Sequence, residues 1–223
     1  MNDAPQAPPG PIFPRWFDRF VKLLGLLLAG GVVFAVFMLA YAGSPSTLNV
    51  GYQPDQPVAY SHRLHAGELG IDCRYCHDGV ESSSHAAVPP TATCMNCHAT
   101  VRTTSEKLAP VFSSHRTGLP IRWVRVHDLP DYAYFSHEAH VRRGVGCVSC
   151  HGRVDRMEVV YQHEPLSMGW CLDCHRDPAP WLRPPEAVTK MDWMPDGDAR
   201  ETGERIRREL GVDPSTDCST CHR

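Results

Sequence analysis

Cys147-Val148-Ser149-Cys150-His151 is the stretch on which the reading of this chain turns, because it is one of five copies of a single pattern. The others are Cys73-Arg74-Tyr75-Cys76-His77, Cys94-Met95-Asn96-Cys97-His98, Cys171-Leu172-Asp173-Cys174-His175 and Cys218-Ser219-Thr220-Cys221-His222. Together they use all ten cysteines of the 223 residues. C-x-x-C-H is the spacing of a c-type haem attachment site: two thiols form thioether bonds to the porphyrin and the next histidine is the proximal iron ligand. Zinc sites also use paired C-x-x-C motifs, but they do not demand a histidine directly after every second cysteine. A disulfide framework would be indifferent to those histidines. The sequence therefore predicts five covalently bound haem c groups.

Thirteen histidines exceed the five proximal ligands. His62, His65, His85, His115, His127, His137, His140 and His163 are left, enough to fill every sixth coordination position. His62 and His137 each precede their own first cysteine by about ten residues and are the first candidates for distal ligands. His65 and His140, at i+3 on the same helical face, are expected to reach a neighbouring haem. The fifth distal ligand is sought among His85, His127 and Met168, a Met/His pair being the choice that raises a haem potential. His115 and His163 are expected at the surface or behind a ligand.

An internal repeat organises the ligands. Tyr60-Ser61-His62-Arg63-Leu64-His65 precedes Cys73, and Phe135-Ser136-His137-Glu138-Ala139-His140 precedes Cys147. The offset is 75 residues at the histidines (62 to 137) and 74 at the cysteines (73 to 147). Each first motif is followed by a second, so the chain reads as two dihaem modules, 60–134 and 135–177, and a segment 178–223 carrying a fifth haem. With twenty prolines and seventeen glycines, the expected fold is mainly α and irregular: a haem-packed domain with little regular secondary structure, behind one N-terminal transmembrane helix. Five macrocycles would supply much of the interior that so short a domain lacks. Residues 198–210 are the best soluble helix, capped at Asp198 with Ile206 and Leu210 on one face, and are expected to pack over the last haem.

Residues 1–22 form a Pro-rich tail with an aromatic, basic flank, and 43–59 a linker. Between them, residues 23–42 carry no charge. Twenty helical residues span roughly 30 Å, the hydrocarbon thickness of a bilayer. A cleaved signal peptide is the competing reading, with Ala40-Tyr41-Ala42 as its cleavage site, but the run exceeds a usual h-region of about 7–15 residues. Arg15, Arg19 and Lys22 precede the span, and the next cation is Arg63. The positive-inside rule then puts the N-terminus in the cytoplasm and the haem domain in the periplasm of a bacterial inner-membrane protein. A net charge of −3 gives no sign of nucleic-acid binding.

The pattern resembles the pentahaem subunit of alternative complex III, a bacterial quinol-oxidising respiratory complex. The resemblance is carried by the N-terminal anchor, Ser61-His62…His65, Val88-Pro89-Pro90-Thr91-Ala92-Thr93-Cys94-Met95-Asn96-Cys97-His98, Ser136-His137…His140, Ser167-Met168-Gly169-Trp170-Cys171 and the terminal Cys218-Ser219-Thr220-Cys221-His222-Arg223. It implies an electron wire without a catalytic site of its own, fed by an iron-sulfur protein and quinol-binding membrane subunits and discharging to a monohaem cytochrome c or an oxidase. A stand-alone membrane-anchored quinol dehydrogenase feeding a periplasmic reductase is the alternative. A multihaem reductase with an open catalytic haem fits less well, since all five motifs end in histidine.

Overall fold

The computed structural model describes residues 13–44 and 48–222. The tail 1–12, linker residues 45–47 and Arg223 lie outside the described residues. The chain divides into two compact units, 1–47 and 48–223.

In the first unit, α1 (Arg15–Ala42) starts after Pro14, whose extended backbone and missing N–H suit a helix start, and ends at Gly43. Its 28 residues extend about 42 Å at the α-helical rise, so the helix takes in the aromatic and basic flank as well as the uncharged run. Within it, Trp16–Ala42 is long and apolar enough to cross a membrane. Leu26, Leu27, Val33, Phe34, Phe37 and Leu39 are all exposed, as expected of a helix that meets lipid. Aromatic side chains gather at its start, where Phe13 stacks on Phe17 at 4.4 Å and Trp16 meets Phe20 edge-on. Such rings favour the membrane–water boundary.

The second unit is built of short helices and loops, with no β-strand among the described residues and only two isolated bridges, Ala133 to His222 and Val145 to Leu182. Each C-x-x-C-H lies on one helical turn or at the end of a helix: α2 (Cys73–Cys76), α3 (Thr91–His98), α6 (Val148–His151), α7 (Met168–Arg176) and α9 (Cys218–Cys221). The caps are local. Asp72 accepts from the N–H of Arg74 at the start of α2, and Ser167 from Trp170 at the start of α7. The two H-x-x-H segments are a π-helical turn, Arg63–Glu68, and the helix α5 (His137–Val141), capped by Ser136. Within the first module, after its second motif, α4 (Ala109–Thr117) closes at Gly118 in the left-handed conformation, φ 71°.

Two small apolar clusters hold the unit together. Val80, Val141 and Val188 form one, with Ala86 against it; Leu182, Ile206 and Val212 form the other, with Val145 and Leu210. Helix α8 (Ala199–Glu209) is capped by Asp198, which accepts from the N–H of Glu201 at 2.8 Å. Its described contacts are with the turn after the second module. Gly203 leaves no side chain between α8 and the carbonyl of Ala179, and that close approach seats Ile206 on Leu182 of the turn following the second module.

Candidate functional site

The ring nitrogens of the motif histidines are oriented in a consistent way. Nδ1 of His77 donates to the carbonyl of Ala87 (2.8 Å), that of His98 to Val101 (3.0 Å), that of His175 to Ser215 (2.7 Å) and that of His222 to Tyr132 (3.0 Å). A metal-ligating imidazole holds its second N–H on such an acceptor, which fixes tautomer and ring direction and leaves Nε2 free for the metal. His151 departs from the pattern. Its Nδ1 faces not a carbonyl but Nε2 of His127, at 3.3 Å.

The upstream histidines are arranged the same way. Nδ1 of His65 and His140 donate to the carbonyls of Ser61 and Ser136, each four residues back, and Nδ1 of His137 to Ser84. His62 alone keeps a buried Nδ1 without a protein partner among the described residues. The rings are clamped by an aromatic side chain whose role the sequence did not disclose. Tyr60 stacks on His65 (4.5 Å, 22°) and meets His62 edge-on (4.8 Å, 84°). Phe135 repeats this on His140 (4.5 Å, 28°) and His137 (4.8 Å, 88°). The signal was present: an aromatic residue stands two positions before the first histidine in both copies.

The rings then meet in pairs. His65 and His98 have centroids 6.3 Å apart, His137 and His151 6.4 Å, and His140 and His175 6.1 Å. Two imidazoles on one metal, each with a nitrogen about 2 Å away, have ring centres separated by roughly 6.3 Å. The three pairs have the spacing of axial ligand pairs. His62 lies close enough to His77 to feel its charge, and burial together with His77 and His65 lowers its pKa to about 4. Burial lowers that of His151 to about 3, helped by His127 and His137. Neutral imidazole is the form that ligates a metal.

None of the ten cysteines is in a disulfide. Burial pushes the thiol of Cys73 up to about 11 and that of Cys150 to about 12. Among the described residues no three of His, Cys, Asp and Glu converge on one point, as a structural zinc site requires. The donor set thus fits haem: thiol pairs beside one imidazole, a second imidazole at axial distance, and the outer nitrogens tied to carbonyls. At the start of α3 runs a groove of about 420 Å³, lined by Val88, Pro89, Pro90, Leu119, Ile121 and Trp123 together with polar Thr91, Ser114 and His115.

The other sequence candidates lie elsewhere. His127 sits on the ring of His151 at 4.4 Å, too close for a metal between them. Met168 is exposed at the start of α7, and His85 is exposed in the loop after the first motif. His115 lies exposed near the end of α4, and His163 packs on Gly152 with its Nδ1 donating to Glu164. The ring beside His222 is that of Tyr132, at 5.9 Å.

Residues 133–223 match the family described as cytochrome c7 and related cytochrome c. Over 100 residues, 44% of this chain, the sequence is 34% identical to the multihaem cytochrome c subunit of a menaquinone reductase from Nitratidesulfovibrio vulgaris. The aligned part is 47% of that relative's length, so the chain matches about half of it. With five C-x-x-C-H motifs on a mostly helical frame that has no strand among the described residues, the chain is a multihaem cytochrome c, cytochrome c7-like in its C-terminal part and related to a menaquinone reductase cytochrome subunit.

Proposed function

We propose that this protein is a membrane-anchored pentahaem cytochrome c, an electron wire in a quinol-oxidising respiratory complex. Electrons enter from an iron-sulfur subunit and leave to a cytochrome c or an oxidase. The N-terminus is cytoplasmic and the haem domain periplasmic. The observation that carries this reading is the set of imidazole pairs at axial spacing. Where two protein imidazoles would hold a haem iron, no position would be left for a substrate and the group would supply electron transfer alone.

The residues divide the work as follows. The cysteine pairs anchor each macrocycle, and His77, His98, His151, His175 and His222 are the proximal ligands. His62 and His137 serve the first site of their own module, while His65 and His140 serve the second. Bound haem supplies a one-electron couple at each site. The carbonyl acceptors hold the imidazoles in place as charge comes and goes, which keeps the reorganisation of each step small. The partners are quinone-binding membrane subunits, an iron-sulfur protein and a monohaem cytochrome c.

A second reading runs the same wire toward the quinone pool, and it is favoured by the relative being a menaquinone reductase subunit. Midpoint potentials separate the two: haems all well below the quinone couple support reduction of quinone, and haems above it support quinol oxidation. The common core is tested by haem counting and low-temperature EPR on the purified protein. Five haems per chain, with low-spin signals from the four sites given two imidazoles, are expected. A high-spin signal from any of those four sinks the assignment.

A further inference from the structure

Resting on the reading that each motif carries a haem, we infer that the five sites form an unbranched series that does not follow the chain. The order is second, first, third, fourth, fifth. The wire's two exits are therefore the site of Cys94, Cys97 and His98 at one end and that of Cys218, Cys221 and His222 at the other.

Each link rests on its own contact. The second and first sites are joined inside their motifs, where Asn96 Nδ2 donates to the Tyr75 hydroxyl at 2.9 Å. The first and third are joined across one short segment: Cys73 Sγ lies 4.0 Å from the carbonyl of Thr189, and the N–H of Cys147 donates to the carbonyl of Val188 at 2.9 Å. The third and fourth share α5, on which His137 faces His151 and His140 faces His175. The fourth and fifth meet at Ser215, whose carbonyl accepts from His175 and whose hydroxyl lies 2.9 Å from that of Thr220, inside the last motif.

A reciprocal exchange reinforces the central link. The ligand helix of the second module is held by the loop after the first motif: the N–H groups of His137 and Glu138 donate to Ser84 and Ser83, and Arg142 Nε to Glu81. In return, the ligand turn of the first module is held by the chain following the third motif. The N–H of Arg63 donates to Met157, the Ser61 hydroxyl to Glu158, and Gly67 lies directly against the carbonyl of Asp155. The two modules thus meet through their first sites, with their second sites pointing outward.

Exposure gives an independent check. Eight of the ten cysteines are partly buried, and the two exposed ones are Cys97 and Cys218. They belong to the second and fifth sites, the two ends that the contacts define. Docked redox partners need a haem edge near the surface, and these sites offer it.

The test locates the irons in the haem-loaded full chain by anomalous diffraction at the iron edge. The expected result is five irons whose nearest-neighbour links run second–first, first–third, third–fourth and fourth–fifth. Five irons with the first site at an end, or with the second site nearest to the third, fourth or fifth, overturn the order while leaving the five-haem reading intact. Fewer than five irons overturn that reading and the order with it.

Discussion

The two ligand turns, around Tyr60 and Phe135, superpose in their chemistry almost contact for contact. Stacking and edge distances of the aromatic ring agree to a tenth of an ångström, and both second histidines donate to a serine carbonyl four residues back. Their surroundings differ at the first site. His137 is tied to Ser84, whereas the Nδ1 of His62 has no protein partner among the described residues. His77 leans on a backbone carbonyl, whereas His151 leans on another imidazole. The first motif has a side-chain cap in Asp72; α6 has none. The two repeats share the contacts that fix the histidine rings and differ in what stands behind the histidines of the first site.

The largest expected effects come from removing a paired ligand. His65→Ala and His140→Ala should each turn one haem high-spin in EPR, the haem of the second motif in the same module. If either change opened the first motif's haem instead, the equivalence of the two turns would be broken.

A smaller effect is expected behind His151. An acceptor on Nδ1 makes an axial imidazole a stronger donor and favours ferric iron. His127→Ala should therefore raise one midpoint potential by roughly 50 mV, close to the 59 mV that a tenfold change represents for one electron. His127→Gln, which keeps an acceptor, should restore most of it. An unchanged set of five potentials would show the contact to be packing only.

Tyr60→Leu and Phe135→Leu should each cost about 1 kcal/mol, the usual worth of an aromatic ring contact, as read by thermal unfolding. Equal losses sharpen the comparison, and a twofold inequality weakens it. The smallest effect is expected at Asp72. Hydrogen bonds from Arg74, with help from Thr189, hold its carboxyl down at about 2 despite some burial. A depressed carboxylate contributes fully above its unfolded pKa of about 3.9 and loses that contribution as pH falls through its folded value. Asp72→Ala should therefore be less stable than the parent by up to about 1 kcal/mol above pH 4, with the gap closing toward pH 2. A gap that persists at pH 2 would assign the loss to something other than the charge.

Much of this was legible in the residues. The five motifs, the doubled H-x-x-H segment and the uncharged span are local patterns, and the mainly helical and irregular frame around them, without a strand among the described residues, follows from composition. The cap at Asp198 was equally local. What escaped is non-local. That α8 would sit on Leu182 depends on Gly203 meeting a carbonyl 24 residues away. That His127 would meet His151 depends on how the last residues of the first module fold back. The aromatic clamp was written in both copies, but a repeated Tyr and Phe reads as packing until the rings are seen on the imidazoles.

The crossed contacts between the modules bear on whether either half can stand alone. Each half supplies the clasp that closes the other: Ser83 and Ser84 fasten the second ligand helix, and Met157 and Glu158 the first turn. Neither half then closes on itself, and a fragment ending before residue 157 should leave the turn that carries His62 and His65 without its clasp. If each motif carries a haem, attachment in either half would wait on synthesis of both.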